Sequence, residues 1–186
     1  VLCVVVNIIV AKKKYESPLK VFQEPKDIES LFKNGKMYYV TAGTNKKGPE
    51  LFPRYNLYCG VVMVKRNASA IVIKRRNLIH SKGMWTWLDA NYIVTIRTDY
   101  TGRKHRQYAD ITSMHGMHTL VATFYLLWLE KNTCAFFYNN HTGDCEAWEF
   151  EKLHFNQMGH TVCSTLTLAC GKRSYRHYVS ECIGKY

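Results

Sequence analysis

The sequence is poor in proline and has no long apolar stretch. Only 4 of its 186 residues are proline, and aliphatic and aromatic residues are frequent, which excludes a collagen-like or disordered chain. Its unbroken apolar runs are a few residues long, whereas a membrane-spanning helix needs about 20, so we expect no membrane insertion. With 47% hydrophobic residues the chain can form one buried core, and we expect one domain.

Motifs of catalysis and cofactor binding are also missing. The sequence contains no G-x-S-x-G elbow, no H-E-x-x-H, no P-loop and no G-x-G-x-x-G. No two cysteines have the C-x2-C spacing of a zinc module. The run Met-His-Gly-Met-His at 114–118 has soft metal ligands, but its glycine and polar surroundings are typical of a loop. We therefore predict no enzyme, no metal and no cofactor.

Acidic residues are scarce relative to basic ones. The chain has 14 Asp and Glu against 26 Lys and Arg, a net charge of +12, which suits anionic partners of several kinds. Basic residues cluster at 74–76 and at Arg103, Lys104 and Arg106, beside predicted strand ends. These clusters are either solvated strand ends or a patch for sulfated glycans; we expect no nucleic acid partner, because the chain has features of secretion.

The first feature of secretion is the N-terminus. Residues 1–11 form an apolar run that ends in the small residue Ala11 and is followed by three lysines. This pattern predicts a signal peptide cleaved after Ala11 and a mature domain over 12–186. The alternative is a buried N-terminal strand.

The second feature is the cysteine count. Removal of Cys3 with the signal peptide would leave six cysteines, an even number that indicates a disulfide framework in a secreted chain. Counting alone does not choose the pairing. Asn67 and Asn140 also begin glycosylation sequons.

The remaining pattern is that of a β protein. Ile28, Leu31 and Phe32 predict a short helix, with Asp27 at its start and Gly35 after its end. β-branched and aromatic residues then recur with period two, between turn signals such as 89–91. The predicted strands are 36–43, 55–65, 68–75, 83–88, 92–98, 104–110, 120–129, 133–138 and 145–150. This spacing favours an antiparallel sandwich or a closed barrel, followed by a C-terminal helix.

Two segments carry a resemblance to a known family. Residues 125–138 combine an apolar strand, a short polar turn and Cys134 at the start of a second apolar strand, and residues 143–149 read Gly-Asp-Cys-Glu-Ala-Trp-Glu. Together they resemble the salivary lipocalins of ticks, which include the histamine-binding proteins. The resemblance implies an all-β, eight-stranded antiparallel up-and-down barrel with a short N-terminal helix, a C-terminal helix packed outside, and a small molecule in the lumen.

The resemblance also implies a disulfide pairing. The implied bridges are Cys59–Cys182, Cys134–Cys163 and Cys145–Cys170. Because the lumen of an eight-stranded barrel has no room for a helix, strand cysteines bridged to the C-terminal segment must point outward and their neighbours inward. The residues expected to point inward are Tyr58, Gly60, Val62, Ala135, Phe137, Glu146 and Trp148.

Glu146 is the most informative of the expected luminal residues. It matches the glutamate that, in amine-binding members of the family, pairs with the ligand amine. A buried carboxylate needs a partner, and the alternatives are an internal Arg or Lys or a water-filled lumen. Trp85, Trp87 and Tyr92 flank a predicted hairpin, one face of which should enter the lumen. The predicted ligand contacts are Glu146, Trp148, Phe137, Trp85, Trp87, Tyr92 and Tyr39.

Three positions depart from the amine-binding pattern. Ala135 stands where that pattern has Asp, Ala147 where it has Leu, and Asn45 where it has an aromatic residue. The positive net charge also disfavours a cation. We therefore expect a secreted, monomeric scavenger of a small host mediator that suppresses host defence. A biogenic amine such as histamine or serotonin is the first candidate, an anionic lipid mediator (a leukotriene or fatty acid) the second, and a protein- or glycan-binding surface the third.

Overall fold

Eight antiparallel strands close into an up-and-down barrel. The computed structural model describes residues 16–47, 55–100, 105–154 and 161–182, so the predicted signal peptide lies outside the described residues. Each strand pairs with the next, and the first also pairs with the eighth, which closes the barrel as expected. The strands are β1 Met37–Gly43, β2 Leu57–Arg66, β3 Ile71–Ser81, β4 Met84–Asp99, β5 Arg106–Ser113, β6 Leu120–Glu130, β7 Cys134–Asn139 and β8 Asp144–Glu149.

Short elements flank the barrel. A two-residue strand, β9, pairs with the last residues of β1 and returns the C-terminal segment to the barrel. No helix in the described part of the chain has the length and apolar character needed to cross a membrane. These elements are α1 Pro18–Val21, α2 Val162–Leu166, β9 Tyr175–Arg176 and the 3-10 turns Glu29–Leu31, Thr167–Cys170 and Ser180–Cys182.

The predicted N-terminal helix is a 3-10 turn that closes one end of the barrel. Asp27 lies two residues before it, and the Asp27 carboxylate accepts a hydrogen bond from the Ser30 backbone N–H at 3.2 Å. Ile28 and Phe32 are fully buried in the luminal core. The Tyr38 hydroxyl donates to the Leu31 carbonyl at 2.6 Å and fixes the turn to β1.

The C-terminal segment packs outside the barrel. Helix α2 contacts β7 and β8, and its Cys163 belongs to an outer cluster with Phe136 and Ala147. On the helix, Cys163 is buried and Leu166 packs against the same cluster, while Val162 is 52% exposed. Three disulfides join this segment to the barrel. They are Cys59–Cys182, Cys134–Cys163 and Cys145–Cys170, the pairs that the resemblance implied, with Cα–Cα distances of 5.8, 6.1 and 6.2 Å.

The alternation deduced from the cysteines holds on β7 and β8. Ala135, Phe137 and Trp148 belong to the luminal cluster. On β2 the expectation for Tyr58 is wrong: a register shift between Leu57 and Cys59 turns Tyr58 to the outer cluster around Cys59, while Val62 remains luminal. A bulge of this kind places two residues opposite one and changes the alternation locally.

The predicted hairpin around 89–91 is a continuous strand. β4 runs through these residues and pairs along its length with β3. Asp89 forms ion pairs with Lys74 and Arg76 across the strands, and Ala90 is buried in the lumen. The turn-forming tendency of Asp and Asn is therefore outweighed by cross-strand pairing and burial.

Strands β1 and β2 pack closely together at Gly60. A Cβ on Gly60 would lie 2.7 Å from the Cβ of Val40, its luminal neighbour across the pair. Gly60→Ala should lower the free energy of unfolding by about 1–3 kcal/mol, measured by urea denaturation. The Val40→Gly/Gly60→Ala double variant should lose less than the sum of the single variants; strict additivity would contradict the close approach.

Candidate functional site

An ion pair between β3 and β8 lies inside the barrel. The two terminal nitrogens of the Arg75 guanidinium donate to the two carboxylate oxygens of Glu146 at 2.8 and 2.9 Å. Their side chains are 2% and 10% exposed. Of the alternatives for Glu146, the structure shows the salt bridge to an inward arginine. The two-pronged geometry gives the strong, oriented form of this contact.

Neighbouring side chains hold the pair in place. The Trp148 indole N–H donates to the Glu146 carboxylate, and the Arg75 Nε donates to the Asn77 side chain at 3.4 Å. The Trp148 ring packs on Phe137, with centroids 4.5 Å apart, and on Phe124 at 6.1 Å. The ion pair is therefore surrounded by aromatic rings, an environment in which either charge alone would be costly.

His177 lies at the end of the barrel opposite the 3-10 turn Glu29–Leu31. Its backbone N–H donates to the Thr41 carbonyl at 2.8 Å, and its ring Nδ1 lies 3.2 Å from the Leu57 carbonyl. Burial lowers its pKa to about 4, so the ring is neutral at neutral pH. A Cβ on Gly43 would lie 3.0 Å from the ring Nε2, so glycine leaves room for the imidazole.

Two small luminal cavities flank the ion pair. The one at the His177 end has a volume of about 10 Å³, as does the other, which is lined in part by Arg75 and Tyr92. Each suffices for roughly one water molecule. The cavity at the His177 end, called the mouth cavity below, is lined by Gly43, Asn45, Phe124, Asn139, Thr142, Asp144, Cys145, Glu146 and His177. A ligand larger than water that occupied either of these two cavities would therefore require the side chains around it to move.

The predicted ligand contacts divide between the two faces of the barrel. Phe137, Trp148 and Tyr92 belong to the luminal core, and Glu146 lines the mouth cavity. Tyr39, Trp85 and Trp87 lie on the outer face. Tyr39 alternates with the luminal Tyr38 and Val40 and so points to the outer face of β1.

The two tryptophans of β4 pack on the outer surface, so their expected position in the lumen is wrong. The Trp85 ring contacts Tyr58, with centroids 5.0 Å apart, and the Arg76 guanidinium lies 5.0 Å from the Trp87 ring centroid. The reason is that side chains alternate between the two faces along a continuous strand. Because β4 is continuous, the luminal Tyr92 and the odd-numbered Trp85 and Trp87 must point to opposite faces.

Sequence reasoning missed Arg75 and His177 as luminal residues. Arg75 was assigned to a basic surface cluster, although its alternation with the buried Ile73 offered a signal for an inward position. For His177 the local sequence offered none. Its burial depends on β9 returning to the end of β1.

The predicted basic patches are partly engaged within the protein. Lys74 and Arg76 both bind Asp89, at 2.6 and 3.1 Å. Arg106 donates to the carbonyls of Leu19 and Phe22, which fixes the N-terminal segment to the barrel. Arg103 and Lys104 lie outside the described residues. The sequon residues Asn67 and Asn140 are exposed.

Comparisons with known proteins found similarity among solved structures. No protein-family model and no curated protein matches the chain. Among solved structures, the chain is similar to the crystal structure of AM182 in complex with serotonin, with 16% sequence identity and a TM-score of 0.49. The similarity covers 87% of this chain and 95% of that one. The barrel assignment itself follows from the strand pairing described above.

The ion pair predicts an asymmetric response to mutation. Arg75→Met leaves a buried carboxylate without its partner and should lower the free energy of unfolding by about 3–5 kcal/mol. The Arg75→Met/Glu146→Gln double variant should regain part of that loss in urea denaturation. As a control, Arg97→Met, which breaks the outer pair with Asp110, should cost about 1 kcal/mol or less. Equal losses in the single and double luminal variants would contradict the pairing.

The buried His177 predicts acid sensitivity. The unfolded chain, with a histidine pKa near 6.5, binds a proton more readily than the folded chain, with a pKa of about 4. Stability from this residue is therefore complete above pH 6.5 and decreases as the pH falls toward 4, by up to about 1.4 kcal/mol per pH unit. His177→Gln should reduce the slope measured by denaturation across this range. An unchanged slope would contradict the buried neutral state.

Proposed function

We propose that the chain is a secreted lipocalin-type protein that takes up a small biogenic amine, such as histamine or serotonin, in its lumen. It would act without catalysis: affinity and abundance lower the free concentration of the mediator and suppress host defence. The observation that carries the proposal is a carboxylate, Glu146, inside an aromatic-lined barrel. Three disulfides support secretion, because such bridges persist in oxidising compartments.

Glu146 is the more exposed member of the ion pair and lines the mouth cavity, whereas Arg75 lines the second cavity. An ammonium group that enters there would meet the carboxylate first. The rings of Trp148 and Phe124 could pack against an imidazole or indole, as aromatic surfaces commonly do. Binding would require the amine to replace the guanidinium at the carboxylate.

A second candidate follows from Arg75. A cation fixed inside an apolar lumen suits the carboxylate of an anionic lipid mediator, because a guanidinium can bind a carboxylate through two parallel hydrogen bonds. In that case Glu146 would be the group displaced. An amine would bind Glu146 and displace Arg75, whereas an anionic lipid would bind Arg75 and displace Glu146.

Two substitutions separate the candidates by opposite signs. For an amine, Glu146→Gln should weaken binding about ten- to a hundredfold, because a charge-assisted contact contributes about 1.5–3 kcal/mol, whereas Arg75→Gln should tighten it by freeing the carboxylate. For an anionic lipid, Arg75→Gln should weaken binding and Glu146→Gln should leave it unchanged or tighten it. Calorimetric titration with histamine, serotonin and a leukotriene would measure each.

A matched control is available on the same strand. Glu149 is a buried carboxylate that accepts hydrogen bonds from Thr41 and Thr161 on the outer face. Glu149→Gln should leave ligand affinity unchanged. If none of the three ligands binds the parent protein at micromolar concentration, the lumen-binding proposal fails and a surface-binding role takes its place.

A further inference from the structure

Five exposed basic residues lie at the mouth end of the barrel, on the segment that follows β1 and on the C-terminal segment up to β9. We infer that they form a binding site for sulfated glycosaminoglycans, called the rim cluster below. The inference is independent of the proposed function, because it needs no ligand in the lumen. The rim cluster consists of Lys46, Lys47, Lys172, Arg173 and Arg176.

The fold brings these two segments together from both sides. β9 runs antiparallel to the end of β1, and Arg176 lies opposite Ala42. Asp144, which lines the mouth cavity, joins the same segments: its carboxylate accepts hydrogen bonds from Lys172 Nζ at 2.7 Å and from Thr44 Oγ1 at 3.1 Å. The two lysines at 46 and 47 follow shortly after this threonine. The cluster therefore combines residues that are far apart in the sequence.

The backbone beneath the rim cluster is fixed at several points. The Cys145–Cys170 disulfide joins the chain just before Lys172 to β8. The Leu57 backbone N–H donates to the Lys46 carbonyl at 3.0 Å. A polyanion would therefore meet cations whose backbone positions are already set, which lowers the entropic cost of binding.

The rim cluster meets little opposing charge. Within the described ranges, Lys172 forms an ion pair with Asp144, and the other four basic residues form none. Residues 48–54, which lie outside those ranges, include one acid and one base, Glu50 and Arg54, and so add no net charge. The basic run at 74–76 differs, because each of its three residues is ion-paired with a carboxylate.

The surroundings of the cluster favour a sulfated polysaccharide over a membrane. No large apolar side chain is exposed within 41–47 or 171–178, whereas segments that lie on membranes combine basic residues with apolar ones that insert. Clusters of Lys and Arg are a usual feature of heparin-binding surfaces. The three disulfides suit an oxidising, extracellular setting, in which sulfated glycans are available as partners.

Calorimetric titration with a heparin dodecasaccharide at physiological salt tests the site. Neutralising four residues of the cluster should weaken binding at least about tenfold, because each contact with a polyanion releases counterions and each lost contact removes that gain. Chemically desulfated heparin should bind the parent protein at least about tenfold more weakly than heparin, for the same reason. The variant is Lys46→Gln/Lys47→Gln/Arg173→Gln/Arg176→Gln.

A matched control removes the same charge from exposed lysines outside the cluster. It should change the affinity for heparin less than about threefold, because salt screens charges that do not contact the ligand. The control variant is Lys20→Gln/Lys33→Gln/Lys36→Gln/Lys65→Gln.

A footprint on the unmodified protein does not depend on the folding of any variant. Bound heparin should protect Lys46 and Lys47 from chemical acetylation, read by mass spectrometry. Acetylation of Lys33 and Lys36 should be the same with and without heparin. Protection of all four lysines alike, or of none, would contradict the site.

The remaining outcomes are also decisive. Absence of heparin binding by the parent protein at physiological salt overturns the inference. Equal losses in the two variants would show that net charge alone is responsible, which overturns the site. Vesicles that contain phosphatidylserine and bind as tightly as heparin would indicate a membrane surface instead. None of these measurements uses a luminal ligand, so their failure leaves the proposed function untouched.

Discussion

The structure depends on a buried ion pair in a place that is normally apolar. An eight-stranded barrel closes tightly enough that side chains fill its interior, and here one of the filling groups is the Arg75–Glu146 pair. Each charge carries a desolvation cost, which its contact with the other helps to offset. Trp148 donates a hydrogen bond to Glu146, and Arg75 donates one to Asn77. These bonds and the packed rings nearby hold the two charged groups in place.

This pair also bears on how the proposed ligand would enter the barrel. The cavities beside it have room for about one water each, so the guanidinium occupies space that a bound molecule would take. A ligand that entered either of these cavities and bound one charge of the pair would therefore compete with the other.

The C-terminal segment has a structural role that reaches the site. Its disulfides attach it to the outer faces of β2, β7 and β8. On β8, where Cys145 points outward, strand alternation turns Glu146 and Trp148 inward. After α2 the chain returns along β1, where His177 is buried beside the mouth cavity. The disulfide on the outer face of β8 and the position of Glu146 in the lumen thus both follow from the alternation of side chains along that strand.

Much of this could be predicted from the sequence. The period-two pattern indicated the strands, and the cysteines on β7 and β8, with the family resemblance, indicated a barrel with Phe137, Glu146 and Trp148 inside. These features are local, because alternation on one strand follows from adjacent residues. Tyr58, Trp85 and Trp87 were placed wrongly because a bulge in β2 and the continuity of β4 depend on pairing with neighbouring strands. The partner of Glu146 and the burial of His177 were decided only by tertiary structure. Arg75 and Glu146 are separated by 71 positions in the sequence, and His177 and Leu57 by 120, so each pair meets only when the barrel has closed.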